Sequence, residues 1–157
     1  MTFAHHRHHP LAKQIVIVGQ GPYATENMRT ALEHRATKIT FLCRRHGIVC
    51  PELLDALNYI RPYDDQLSRP GKGSATFASA WRRAYQASTA TPPECWAQGG
   101  FMPDGHGVSV SDIYFVAHFC QRVNSIVGVA TGFEKLAVLV NKDGTKLEAD
   151  VLIRSIG

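Results

Sequence analysis

The chain has 157 residues and a formal net charge of +4, with 17 lysines and arginines against 13 aspartates and glutamates. A chain of this length fits one globular domain that buries a sizeable core. The basic residues are scattered along the chain, and they form no stripe with interleaved aromatic residues, so nucleic acid is not an expected partner. No apolar run approaches the length needed to cross a bilayer, so no integral membrane segment is expected.

The four cysteines, Cys43, Cys50, Cys95 and Cys120, form no CxxC pair and no metal-ligand spacing. This pattern favours a reducing, cytoplasmic compartment, and we interpret Cys43 and Cys50 as small buried hydrophobic residues. Residues 1–12 carry a cluster of histidines and lack the apolar core of a secretory signal. We expect them to form a flexible tail whose imidazoles have no fixed geometry to select a metal. No metal site is therefore predicted.

The first predicted elements form a β-loop-α-β unit. Gln14–Val18 is a continuous apolar, β-branched run that ends at a glycine, which is typical of a strand buried on both faces of a parallel sheet. Residues 22–34 are mostly good helix formers with apolar residues on one face, and Lys38–Cys43 is predicted to be a second strand. The whole unit has the length of about 30 residues that is typical of a nucleotide-binding unit.

A glycine loop with the pattern GxGxxA connects the first strand to the first helix. Gly19 permits a tight turn off the strand, Gly21 lets backbone N–H groups approach a pyrophosphate, and the small Ala24 lets the helix pack closely on the strand. The helix N-terminus supplies free N–H donors and the positive end of the helix dipole. A tight turn in some other doubly wound domain is the alternative. The predicted cofactor-binding residues of this loop are Gly19, Gln20, Gly21, Pro22, Tyr23, Ala24 and Thr25.

The residues after the second strand indicate which dinucleotide binds. NAD sites usually place an acidic residue there to hold the ribose hydroxyls, whereas NADP sites tend to place an arginine. Here the strand ends in Cys43-Arg44-Arg45-His46, without a carboxylate. Because guanidinium groups can clamp a 2′-phosphate, we predict that Arg44 and Arg45 contact the cofactor and that the cofactor is NADPH. A solvated basic loop is the alternative.

Beyond residue 50 the alternation of strand and helix breaks. Residues 51–59 and 74–88 are predicted to be helices inserted on the nucleotide domain. Residues 89–107 are rich in proline and glycine and are predicted to be irregular. A further helix is predicted for residues 111–122, because a serine and an aspartate at its start are good helix-initiating residues.

The end of the chain returns to a β pattern. Residues 126–129, Ala137–Val140 and Thr145–Glu148 are predicted to form a hairpin or small meander, and residues 150–153 a last apolar strand. The predicted fold is therefore α/β: a Rossmann-like parallel sheet with helical insertions and a C-terminal antiparallel hairpin. Because no helix follows the last strand, we expect residues 13–157 to be one NADP-binding domain that is truncated at its C-terminus.

Two other pairs of residues could suggest a site but have simpler interpretations. Trp81 and Tyr85 are four residues apart, which predicts one packed face of a helix rather than a platform for stacking bases. Asp104 and His106 lie in a glycine-rich loop. No nucleophile or orienting partner can be placed beside them, so we interpret them as loop residues rather than an acid–base pair.

Four stretches resemble the NADPH-binding half of flavin-containing monooxygenases, and the resemblance spans about residues 13–157. They are the loop segment at residues 15–27, the pair Arg44-Arg45, the helix start Ser109-Val110-Ser111-Asp112 and the strand Ala149-Asp150-Val151-Leu152-Ile153. The family has a serine where this chain has Tyr23. Ser155 stands where the family's Ala-Thr-Gly-aromatic motif begins, and the Ala130-Thr131-Gly132-Phe133 of this chain is interpreted as coincidental.

The resemblance implies an oxidoreductase in which NADPH reduces a bound FAD, so that the flavin carries the oxygen chemistry. In that family FAD is held mainly by a separate glycine-loop domain, and this chain has only one such loop. The chain is thus expected to present the nicotinamide to an FAD held elsewhere, by a domain of the same full-length chain or by another subunit. The alternatives are a stand-alone, non-catalytic NADP(H)-binding module or an inactive fragment, and a relative of flavin-dependent disulfide reductases, which the missing CxxC disfavours.

Overall fold

The computed structural model describes residues 13–60, 72–94, 108–141 and 143–155. The histidine-rich tail, Cys95, Asp104 and His106 lie outside the described residues, so the predictions made for them have no structural counterpart. Within the described residues, no helix is both long enough and apolar enough to span a membrane.

The described chain contains nine strands and four helices. The strands are β1 (Gln14–Val18), β2 (Lys38–Cys43), β3 (Val49–Cys50), β4 (Ser109–Val110), β5 (Val123–Val127), β6 (Ala130–Glu134), β7 (Ala137–Val140), β8 (Thr145–Glu148) and β9 (Val151–Arg154). The helices are α1 (Pro22–Glu33), α2 (Glu52–Ile60), α3 (Lys72–Ser88) and α4 (Asp112–Phe119).

A four-stranded parallel sheet forms the centre of the fold, with the strand order β5-β2-β1-β9. In β1, Ile17 pairs with Phe41 of β2 on one side and with Ile153 of β9 on the other. Val16 and Ile17 are buried on opposite faces of the sheet, each in its own hydrophobic cluster. The continuous apolar run of β1 therefore follows from burial on both faces, and the predicted β-loop-α-β unit is confirmed.

Helices cover one face of this sheet. Buried residues of α1, α3 and α4, among them Met28, Trp81 and Tyr114, share a hydrophobic cluster with the sheet residues. Trp81 and Tyr85 are almost fully buried, which confirms that they form a packed helix face. They also hold β3 in place, because Trp81 Nε1 donates to the Val49 carbonyl at 2.6 Å and the Val49 N–H donates to the Tyr85 hydroxyl at 2.9 Å. The inserted helix α3 is thus part of the main core.

A three-stranded antiparallel sheet, in the order β6-β7-β8, covers the other face. Val138 and Val140 of β7 pack against Val16 and Leu42 of the parallel sheet. The predicted α/β fold with a C-terminal antiparallel unit is confirmed. The antiparallel unit is a meander rather than a two-stranded hairpin, and Ala130-Thr131-Gly132-Phe133 lies in its first strand.

The prediction was wrong about the segment that follows α4. This helix ends at Phe119 rather than near residue 122, because the chain turns at Gln121, which has a left-handed φ of 56°. The next strand is Val123–Val127, which is the parallel edge strand β5 of the main sheet and not part of the meander. Polar Asn124 and Ser125 interrupt its apolar pattern.

Candidate functional site

The carboxyl ends of the parallel strands form the edge of the sheet where a ligand is expected. From β1 the chain adds β2 and then β5 on one side of the sheet, and it later adds β9 on the other side of β1. The strand order therefore changes direction between β1 and β9. In open α/β sheets, ligands bind in the crevice at such a switch point. The glycine loop follows β1 at this point, and Ser155 follows β9. The Ser155 N–H donates to the Val18 carbonyl at 2.9 Å, and Asn27 Nδ2 donates to Ser155 Oγ at 2.9 Å.

Gly19 makes the turn off β1 for which it was predicted. Its φ is 111°, a conformation that side chains other than glycine rarely adopt. Its N–H still donates to the Leu42 carbonyl at 2.9 Å, so the chain remains paired with β2 until the turn itself. The loop therefore leaves the sheet abruptly and directs the following residues to the start of α1.

Gly21 is the N-cap of α1, and Pro22 is at the first helical position. A Cβ atom placed on Gly21 would meet no atom within 4 Å. Its φ of −90° and ψ of −172° are extended values that any residue can adopt. Neither packing nor backbone geometry therefore requires glycine here. The open space beside the helix N-terminus is what a pyrophosphate would need to approach the backbone.

The loop residues Tyr23 and Ala24 offer a ligand their backbone N–H groups rather than their side chains. Tyr23 and Ala24 lie in the first turn of α1, where N–H groups have no partner within the helix. The Tyr23 side chain is 81% exposed, whereas Ala24 is fully buried against the sheet, as its small size predicted. The N–H and hydroxyl groups of Thr25 both donate to the Gly21 carbonyl, so the Thr25 side chain is used within the helix.

The side chain of Gln20 points into the protein. It is 5% exposed, and its Nε2 donates to the Tyr114 hydroxyl at 2.9 Å and to Ser125 Oγ at 3.0 Å. Its Oε1 accepts from the Gly47 N–H at 3.1 Å and from Cys43 Sγ at 3.3 Å. Of the predicted cofactor contacts at this residue, only those of the backbone remain possible, because the amide group is occupied inside the fold.

Gly47 is a component of the site that the sequence argument missed. A Cβ atom on Gly47 would lie 1.8 Å from the Gln20 carbonyl oxygen, so the loop after β2 can pass the glycine loop only if residue 47 is glycine. The signal in the sequence was a glycine three residues after Arg44. The reason that this residue must be glycine is its contact with Gln20, which is 27 positions away in the chain, and local sequence patterns do not predict such a contact.

Arg44 and Arg45 follow β2 directly, and both are exposed at the carboxyl edge of the sheet. The structure also brings a carboxylate to this loop, although none is near in sequence. Glu94 accepts from the His46 N–H at 3.0 Å, and its Oε1 lies 2.7 Å from His46 Nδ1. Partial burial opposes ionisation of Glu94, but hydrogen bonds from backbone N–H groups and from His46 outweigh it and lower the pKa of this carboxyl.

The buried cysteines have no reactive character. Cys43 and Cys50 are buried, and this burial raises the pKa of both thiols to about 12, with a smaller contribution from nearby carboxylates. A thiol with so high a pKa is a poor nucleophile at neutral pH. Both predictions of small buried residues are confirmed, and Cys43 serves the site as a hydrogen-bond donor to Gln20.

Comparisons with known proteins support the fold but not a family. No protein-family model matches the chain, and no curated protein is significantly similar to it. Among solved structures, the chain is similar to an oxidised steroid monooxygenase bound to NADP (10% identity, TM-score 0.57) and to OTEMO in an FAD-bound form (13%, 0.57), each over 92% of this chain. It is also similar to a cyclohexanone monooxygenase from Rhodococcus sp. Phi1 bound to NADP+ (14% identity, TM-score 0.55), over 93% of this chain.

The chain spans 38% of the length of each of these three proteins. The TM-scores of 0.55–0.57 show that the fold is shared, and at identities of 10–14% the similarity shows the fold alone. The described part of the chain therefore has the fold of a portion of these proteins, two of which are monooxygenases bound to NADP or NADP+ and one of which is OTEMO in an FAD-bound form.

Proposed function

We propose that the chain is the NADPH-binding domain of a monooxygenase-like, flavin-dependent oxidoreductase of the cytoplasm. In this proposal residues 13–157 bind NADPH and present its nicotinamide to an FAD, which another domain of the full-length protein or another subunit holds. The observation that carries the proposal is the open space at Gly21, beside the N-terminus of α1 and at the switch point of the sheet.

Each part of the dinucleotide has a counterpart in the site. The backbone N–H groups of the loop and of Tyr23 and Ala24 would hold the pyrophosphate, with the positive end of the α1 dipole behind them. Arg44 and Arg45 would hold the 2′-phosphate. The nicotinamide, when bound, supplies the hydride that reduces a flavin. The fold similarity to structures that hold NADP or FAD supports the pairing of these two cofactors.

The test compares NADPH with NADH, which lacks the 2′-phosphate. A charge-assisted hydrogen bond contributes about 1.5–3 kcal/mol, so the wild-type chain should bind NADPH about ten- to a hundredfold tighter than NADH in a calorimetric titration. The double variant Arg44→Ala/Arg45→Ala should lose affinity for NADPH and keep its affinity for NADH. Equal binding of the two dinucleotides by the wild type would contradict the assignment of these arginines.

A matched control removes the same charge elsewhere. Arg82 and Arg83 are also adjacent and exposed, but they lie on α3. The double variant Arg82→Ala/Arg83→Ala should therefore keep the preference for NADPH. If it loses the preference as fully as the Arg44→Ala/Arg45→Ala variant does, the net positive charge rather than a local contact attracts the 2′-phosphate.

The presence or absence of bound FAD distinguishes the proposed enzyme from the alternative, a non-catalytic NADP(H)-binding module. Protein isolated from its own cells with an antibody should carry FAD, detectable by flavin fluorescence after denaturation, and should oxidise NADPH. Protein that binds NADPH but carries no flavin and oxidises no NADPH would favour the non-catalytic module.

A further inference from the structure

We propose that Gln20 is a positioning residue that sets the preference for NADPH over NADH. It does so by holding the loop of Arg44, Arg45 and His46 at a fixed place relative to the glycine loop. This inference rests on the proposed function, since it assumes that the two loops bind the pyrophosphate and the 2′-phosphate of one dinucleotide.

Both ends of the arginine-bearing loop are bonded to one atom. Cys43 lies immediately before Arg44, and its thiol lies 3.3 Å from Gln20 Oε1 and 3.6 Å from the Ile126 carbonyl oxygen, so that Gln20 is the nearer of the two acceptors for its one proton. Gly47 lies immediately after His46, and its N–H donates to the same oxygen at 3.1 Å. An amide oxygen has two lone pairs, so these two donors use its full accepting capacity.

The other half of the Gln20 amide is anchored in the core. Nε2 carries two protons, which are donated to the hydroxyl groups of Tyr114 on α4 and Ser125 on β5. Tyr114 is fully buried and Gln20 is 5% exposed. A buried polar group whose hydrogen bonds are all made is held rigidly, so Oε1 is a fixed point and not an adaptable contact.

A second contact between the two loops is independent of this side chain. Gly47 passes so close to the Gln20 backbone that a Cβ atom there would overlap the Gln20 carbonyl oxygen. Gln20 therefore meets the arginine-bearing loop with both its backbone and its side chain. The separation of the pyrophosphate and the 2′-phosphate within one dinucleotide is limited by its covalent structure. The spacing of the two loops therefore decides whether the exposed side chains of Arg44 and Arg45 reach the 2′-phosphate when the glycine loop binds the pyrophosphate.

The test is the ratio of the dissociation constants for NADH and NADPH, measured by calorimetry on Gln20 variants of the full chain. Gln20→Met has a similar volume but no oxygen for Cys43 and Gly47, and the ratio should fall about tenfold, as expected from one lost charge-assisted contact. A loss of stability alone would weaken both dinucleotides by the same factor and leave the ratio unchanged.

A control acts on the opposite half of the amide. The double variant Tyr114→Phe/Ser125→Ala removes both acceptors of Nε2 but leaves the bonds to Oε1, so it should lower stability and reduce the ratio by less than Gln20→Met does. Gln20→Asn is a second variant with the same expectation as Gln20→Met, because its amide is one methylene too short to reach both loops. It keeps the inference testable if circular dichroism shows that Gln20→Met is unfolded.

Failure of this inference is distinct from failure of the proposed function. A wild-type chain that binds neither dinucleotide overturns both. A wild type that prefers NADPH, combined with a folded Gln20→Met or Gln20→Asn protein that keeps the wild-type ratio, overturns the role of Gln20 alone. Loss of the ratio in Tyr114→Phe/Ser125→Ala to the same extent as in Gln20→Met also overturns it, because general loosening would then explain both.

Discussion

Gly21→Val should abolish NADPH binding and leave the fold intact, because the side chain would enter space that the protein does not use. A Cβ at this position meets nothing within 4 Å, and the backbone is in the extended region. The residue is an N-cap without a side-chain cap bond, so the free energy of unfolding should change by less than about 1 kcal/mol.

The loss of affinity can be calculated from the donors at the helix start. The isopropyl group would hold the pyrophosphate away from the N–H groups of Tyr23 and Ala24. Two charge-assisted hydrogen bonds contribute about 3–6 kcal/mol together, which corresponds to about a hundred- to ten-thousandfold in the dissociation constant. Gly21→Ala carries a smaller group and should give an intermediate loss.

Two measurements on each variant check this reasoning. Calorimetric titration with NADPH gives the dissociation constant, and thermal unfolding followed by circular dichroism without ligand gives the stability. An unchanged dissociation constant in Gly21→Val would show that no pyrophosphate lies over this residue. A large fall in melting temperature would show that the space is not free in solution.

Three further predictions concern packing and pH. Gly47→Ala should destabilise the protein by about 1–3 kcal/mol in urea unfolding, because its Cβ would overlap the Gln20 carbonyl and one of the two loops would have to move. Trp81→Ala should cost about 3–5 kcal/mol by the same measurement if α3 belongs to the main core, whereas a cost below about 1 kcal/mol would indicate a peripheral helix. Burial, reinforced by repulsion from His46, lowers the pKa of His118 from 6.5 to about 4, so the folded state disfavours its protonation. Stability from His118 should therefore be complete above pH 6.5 and decrease by up to about 3 kcal/mol as the pH falls towards 4, and His118→Gln should show a smaller decrease over this range.

The part of the fold that could be predicted from the sequence is the part fixed by neighbouring residues. The apolar run of β1, the glycine turn and the apolar face of α1 are local periodic patterns, and the structure has them at the predicted positions within one residue. The edge strand β5 was predicted poorly because Asn124 and Ser125 make it look polar. Both side chains are in fact hydrogen-bonded to other elements of the sheet edge, Asn124 with Thr40 and Ser125 with Gln20.

The same division applies to the site. Gly19 is glycine because the turn requires a positive φ, and Gly21 leaves open space at the start of α1. Both are properties of one short loop, so a local sequence motif can identify them. Gly47 and Glu94 act through contacts with Gln20 and His46 that span 27 and 48 positions. No spacing rule predicts contacts of this kind, because they join residues that are far apart in the chain and meet only in the tertiary structure.

The departure at Tyr23 from the resembling family's serine does not count against a pyrophosphate site. A serine would add a hydroxyl donor, but the donors that every such loop shares belong to the backbone. In this chain the Tyr23 side chain is 81% exposed and leaves the space over Gly21 open. The residue still lies in the first turn of α1, where its N–H has no partner within the helix. Replacing serine with tyrosine therefore moves the side-chain hydroxyl away from the loop backbone and preserves the backbone N–H groups and the helix dipole, on which phosphate binding at a helix start mainly depends.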